Sequence, residues 1–201
     1  MKKVGSLWFV LGCFLFVASF NLMAQDPDPV VAAPVDQISR EELAKITEEA
    51  CAATSGEKPT AEMIIKKVEE ACEILTKEGK KAFSQFMGKD SKFLFAGTYI
   101  WIHNLEGIML MHPIKFKLEG TPLLIFKDKN GKRFFVEMNK VAEEKGSGWV
   151  DYLWPIPGSK EIGRKVSFVK YCETPEKDKL VVGCGIYGMA DAEIEKLVSG
   201  N

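Results

Sequence analysis

The densest concentration of groups able to do chemistry is the segment Gly148-Trp149-Val150-Asp151-Tyr152-Leu153-Trp154-Pro155. Read as a strand, it alternates its side chains between two faces, so Tyr152 and Trp154 share one face and Trp149 takes the other. Large rings on a strand fill a core or pack beneath a helix when nothing else is asked of them. With Lys165 and His112 beside them, the same rings can wall a small pocket, because ligand pockets combine apolar walls with a few polar groups. Each cationic residue also has a plain structural explanation. A lysine suits a strand edge, and His112 precedes Pro113, where backbone freedom is restricted.

Catalytic and metal-binding patterns are missing elsewhere. The chain has no G-x-G-x-x-G, no P-loop, no H-E-x-x-H and no C-x-x-C. His103 and His112, its two histidines, fall on different expected strands and do not have the spacing of a structural zinc site. A hydrolase built on Cys184 and His112 would lack an orienting third group and an oxyanion hole. No catalytic residue, metal or cofactor is therefore expected. The 27 Lys and Arg nearly balance the 28 Asp and Glu, which leaves no electrostatic footprint for nucleic acid.

Met1-Lys2-Lys3 is followed by an almost unbroken apolar run, Leu7 to Phe20, and then by Ala24 ahead of Gln25-Asp26-Pro27. A basic start, an apolar run shorter than the roughly 20 residues of a membrane span, and a small residue before a polar stretch read as a signal peptide cleaved near Ala24. An uncleaved anchor and a lipoprotein box at Cys13 compete with that reading. Residues 25–37 read as a flexible leader, and residues 38–201 as one domain large enough to bury its own core. The expected location is periplasmic or secreted. No output domain is expected after it, so the domain is expected to act with a receptor or transporter. Cys51, Cys72, Cys172 and Cys184 allow three pairings in an oxidising compartment. Spacing selects none, and buried free thiols are an equal alternative.

Elements that could hold such a pocket follow in order. Ser39-Arg40-Glu41-Glu42 is a capping box for a first helix, Ser55 to Pro59 breaks it, and a second helix runs to Gly79. Tyr99 to Ile102 and Ile108 to Met111 form a hairpin. Asp128 to Gly131 marks a turn before a short helix with Phe134, Met138 and Val141 on one side. Three strands follow, near Trp149 to Trp154, Lys165 to Cys172 and Leu180 to Gly188, then a helix over Ala190 to Ser199. Helices first and then an antiparallel sheet make an α+β pattern.

Several pieces of this chain stand in the order seen in small extracellular Cache domains. They are Tyr99-Ile100-Trp101, Gly107 to Pro113, Leu118-Glu119-Gly120, Lys127 to Lys132, Gly148 to Pro155, Lys165 to Lys170 and Val181 to Tyr187. The chain thus resembles the single-Cache type over about residues 60–189. The resemblance implies an α+β fold: a long N-terminal helix packed on a central antiparallel PAS-like sheet of about five strands, with a short C-terminal helix. It also implies a small-molecule pocket bordered by His112, Trp149, Tyr152, Trp154, Lys165 and Tyr187, with Tyr99 and Trp101 as weaker candidates. Lys165 with a His or Tyr donor could meet a short organic carboxylate through charge-assisted hydrogen bonds. A quaternary amine in an aromatic cage ranks second, because the lysine would repel it. The main rival is an interaction module that keeps the fold and binds no ligand.

Overall fold

Ser39 opens the first helix by accepting a hydrogen bond on Oγ from the Glu42 N–H at 3.1 Å, which satisfies one of the free donors at a helix start. That helix, α1, spans Arg40–Ala53. Thr60 does the same for Met63 at 3.2 Å and starts α2, Ala61–Glu78. The computed structural model describes residues 38–156 and 161–200. The signal peptide, the leader and part of the expected Pro155 to Gly158 loop lie outside the described residues. From Ile38 onward the chain forms one compact unit. Among the described residues no helix is long and apolar enough to cross a membrane.

Ile64, Val68, Ala71, Cys72 and Leu75 recur at helical spacing on α2 and are all buried. Gly79 ends the helix at φ +64°, a conformation open to glycine. A Cβ there would also run into the Glu176 carboxylate. A 3-10 segment, Gly79–Phe86, then leads toward the sheet.

The expected hairpin is present as β1, Ile100–Asn104, and β2, Met109–Met111. After a 3-10 turn at Phe116–Leu118 and the Asp128 turn comes α3, Phe134–Lys145. The three later strands are β3, Ser147–Pro155, β4, Ile162–Glu173, and β5, Lys179–Tyr187, and α4, Asp191–Ser199, follows. All pairings are antiparallel and the order is β2-β1-β5-β4-β3.

Alternation along the strands divides the core in two. On one face Ile100, Ile102, Val166, Phe168, Val182 and Cys184 pack with the apolar stripe of α2. On the other, Trp101, Val150, Tyr152, Val169 and Val181 pack with Phe134, Phe135 and Met138 of α3. The α2 face mixes aliphatic groups with Phe86, Phe93, Trp149 and Phe168, whereas the α3 face gathers Tyr99, Trp101, Phe134, Phe135 and Tyr152. That second face holds the site.

Candidate functional site

Lys165 lies on β4 facing α3, and the register sets Tyr152 of β3 on one side of it and Tyr187 of β5 on the other. It is 2% exposed. Its Nζ stands 5.1 Å from the Tyr99 ring, 5.1 Å from Trp101 and 5.0 Å from Tyr187, within the range of cation–π attraction. Among the described residues no carboxylate or hydrogen-bond acceptor pairs with it. Burial pulls its pKa from the ordinary 10.5 down to about 8; the Lys115 charge lowers it further, and the thiols of Cys184 and Cys51 oppose the fall. The structure therefore holds a cation that has lost its water and gained only ring faces in return.

Two glycines of β5 make this arrangement fit. A Cβ at Gly183 would strike the Trp101 indole, and one at Gly185 would strike Ser167 Oγ and Lys165 Cε. The two side chains lie across β5 where it has none of its own. Glycine inside a strand often marks such a close approach.

Trp101 is 3% exposed, and its Nε1–H has no hydrogen-bond partner. A buried donor left unmade is costly, on the order of 1–3 kcal/mol. His112 is held from several directions. Its Nδ1 accepts from the N–H of Ile114 at 3.3 Å and of Lys115 at 2.9 Å, which places the ring proton on Nε2. Its own N–H donates to Glu119 at 2.9 Å, and its carbonyl accepts from Arg40 at 2.9 Å. Arg40 also pairs with Glu119 at 2.6 Å, so the start of α1 is tied to the loop that carries the histidine. Burial, with the charges of Lys165, Lys115 and Arg40, holds the His112 pKa well below its ordinary value. It is a neutral donor.

The rings complete the enclosure. Tyr152 stacks on Phe134 at 4.3 Å and 6°, and its hydroxyl meets Ser167 Oγ at 3.0 Å. Trp154 sets its edge against Phe134 at 5.4 Å and lies under Lys115 Nζ at 5.0 Å. Tyr99, Trp101, His112, Tyr152, Trp154 and Lys165 all line one cavity of about 10 Å³, with Met109, Leu118, Phe134 and Phe135. That is room for about one water molecule. The rings nearly fill the space, and Lys165 points into it rather than to solvent.

Two expected residues lie elsewhere. Trp149 sits on the opposite face against Phe168, ring centres 5.3 Å apart, so its place in the expected pocket is corrected; strand alternation sends it away from Tyr152 and Trp154. Tyr187 stands over Lys165 but outside the cavity, lining a groove of about 350 Å³ with Thr98, Cys51 and Gly185. Its hydroxyl donates to the Pro155 carbonyl at 2.9 Å. The Cys184 and His112 pairing weighed for a hydrolase is not assembled. Cys184 belongs to the α2 side and lies 3.5 Å from Thr98 Oγ1. Burial pushes its thiol up to about 12, the opposite of an activated nucleophile. His103 pairs instead with Asn139 at 2.9 Å, and its pKa is pulled down to about 4 by burial.

Sequence reading missed Gly183, Gly185, Ser167, Phe135 and Leu118. The two glycines had a signal. Small residues at alternating positions of an otherwise bulky strand indicate that something large crosses it.

A family model described as Cache domain matches residues 35–195. The chain belongs to the Cache domain family, whose members are extracytoplasmic ligand-sensing modules. The methyl-accepting chemotaxis protein McpP of Pseudomonas putida is 34% identical over 89 residues, 44% of this chain and 16% of that protein. The chain thus spans only a small part of that relative. A solved structure described as the basis for carboxylic acid recognition by a Cache chemosensory domain is 27% identical, with TM-score 0.49, covering 73% of this chain and 93% of that one. The periplasmic sensor domain of a chemotaxis protein is 33% identical, with TM-score 0.44, covering 74% and 90%.

Proposed function

We propose that this chain is an extracytoplasmic sensor or solute-binding domain for a short organic carboxylate, acting with a membrane receptor or transporter. The observation that carries the reading is Lys165: buried, without a counter-ion, and aimed into a ring-lined cavity. A carboxylate offers what the site lacks. One oxygen can take a charge-assisted hydrogen bond from Lys165 Nζ, and the other can accept from Trp101 Nε1–H or His112 Nε2–H. Tyr99, Tyr152, Trp154 and Phe134 then enclose a short carbon chain. A cavity of about 10 Å³ must widen to admit such a guest. Trp154 and Leu118, only half-buried, are the wall that can give way.

The receptor partner is supported by the likeness to a chemotaxis receptor of which this domain matches a minor part. The uncompensated charge of Lys165 disfavours a quaternary amine. A binding rather than enzymatic role fits the raised thiol of Cys184 and the neutral, backbone-anchored His112.

The test is a melting curve recorded against a panel of short carboxylates and amines. A carboxylate at 100 times its Kd adds about 2.7 kcal/mol, which raises Tm by roughly 5–10 °C for a chain of this size. Lys165→Met should abolish that shift. If no compound moves Tm, the non-binding module is the better reading. If Lys165→Met keeps the full shift, the lysine is not the anchor.

A further inference from the structure

Two cysteines distant in sequence meet in the core on the face away from the cavity. Cys72 lies midway along α2 and Cys172 near the end of β4; both are buried in the cluster between that helix and the sheet, and beside them Lys170 Nζ of β4 stands 3.9 Å from Glu69 Oε1 of α2. We infer that Cys72 and Cys172 form a disulfide that bolts α2 to the strand carrying Lys165. The inference rests on the extracytoplasmic setting of Cache domains, where disulfides persist, and is independent of what the cavity binds.

Geometry opposes a bridge from Cys172 to Cys184, and from Cys51 to either Cys72 or Cys172. Cys172 stands opposite Leu180, while Cys184 stands opposite Phe168. The two cysteines are thus four residues apart along neighbouring strands, about 13 Å at 3.3 Å per residue, beyond the roughly 7 Å Cα limit for a bridge. Cys51 belongs to the cluster on the opposite face of the sheet from Cys72 and Cys172. Cys51 Sγ donates to the Thr98 carbonyl at 3.5 Å, and Cys184 Sγ lies 3.5 Å from Thr98 Oγ1. Thr98 occupies both of these thiols.

The oxidant is a protein disulfide of the thiol–disulfide oxidoreductase class. The thiolate of one cysteine attacks one sulfur of that disulfide and expels the other as a thiolate. The second cysteine's thiolate then attacks the mixed disulfide, forming the Cys72–Cys172 bond and releasing the reduced oxidant. Two electrons pass to the oxidant, and the two protons lost by Cys72 and Cys172 are taken up by its thiolates. The neighbouring Cys172 thiol and burial both hold the Cys72 thiol far above its ordinary pKa. Exchange therefore takes place before α2 docks, and the finished bond is shielded from reductants.

The test is differential alkylation of the full chain purified from an oxidising compartment, followed by peptide mapping. In denaturant without reductant, Cys51 and Cys184 should be alkylated. Cys72 and Cys172 should be recovered as one cross-linked peptide pair that separates only on reduction. Alkylation of Cys72 and Cys172 without reduction, or either one bridged to another cysteine, overturns the inference. Melting curves add a second readout. The bond closes a loop of about 100 residues, so Cys72→Ala or Cys172→Ala should each lower Tm by roughly 10 °C. The double variant should lose no more than either single one, and reductant should bring the unmodified chain down to meet them. Separate, additive losses that reductant does not touch would mean that the two thiols only pack. A carboxylate-induced Tm shift that survives in either variant keeps the two readings distinguishable.

Discussion

Lys165 is the residue on which function turns, because charge and desolvation act on it in opposition. A fall in pKa from 10.5 to about 8 corresponds to about 3 kcal/mol of penalty on the charged form in the folded protein. The guest that brings a negative charge removes that penalty, so binding keeps the ammonium protonated. Carboxylate affinity should be nearly constant below pH 8 and fall about tenfold per unit above it, as the free protein loses the proton that the complex needs. Isothermal titration between pH 7 and 10 checks this. An affinity that stays flat through pH 9 would mean that the bound anion does not contact the lysine. The same residue makes an uncommon stability prediction. Lys165→Met removes a buried unpaired charge of similar length, so without ligand it should melt higher, by roughly 5–10 °C, even as it loses the carboxylate response.

At the scale of elements, β5 decides whether the site can exist. Its positions facing α3 are Val181, Gly183, Gly185 and Tyr187, and the two glycines leave a trough that Trp101 and Lys165 occupy. Gly185→Ala should push Lys165 Cε and Ser167 Oγ aside, costing about 1–3 kcal/mol by overpacking and removing most of the carboxylate-induced shift. Circular dichroism should still show the antiparallel sheet. A variant that binds normally would show that the lysine can reach the guest by another path. The α1 helix contributes differently. Arg40 and Glu119 brace both backbone groups of His112, so motion of the loop over the cavity is tied to the start of that helix.

For the whole molecule, the buried titratable groups shape stability on both sides of neutrality. His103 has a folded pKa of about 4 against an ordinary 6.5, so the unfolded chain binds its proton first as pH falls. That stability, about 3 kcal/mol, is present above pH 6.5 and lost by pH 4. His112 shifts in the same direction. On the alkaline side Lys165 has the lower pKa in the folded state, so stability rises from pH 8 toward 10.5 as the unfolded chain loses its proton too. Above pH 9 the Cys51 and Cys184 thiols, raised to about 11 and about 12, work against this gain. Urea midpoints of the parent and of Lys165→Met should therefore differ most at pH 7 and converge by pH 10. A constant difference would show that the lysine is not desolvated.

The order of elements, the Ser39 cap, the hairpin, the three long strands and the split of Trp149 from Tyr152 and Trp154 were legible from residue types and spacing. Each depends on neighbours within a few positions: an oxygen three residues before a free N–H, or a side chain two residues along a pleat. Six of the residues that the resemblance named line one cavity, while Trp149 lies on the opposite face of the sheet, where strand alternation puts it. Only the tertiary structure decided that Lys165 is dry and unpaired, that Trp101 keeps an orphan donor beside it, and that Cys72 and Cys172 share one core cluster. Desolvation and the absence of a partner are properties of everything packed around a group. Here those surroundings come from β1, β3, β4, β5 and α3, segments that local spacing cannot bring together.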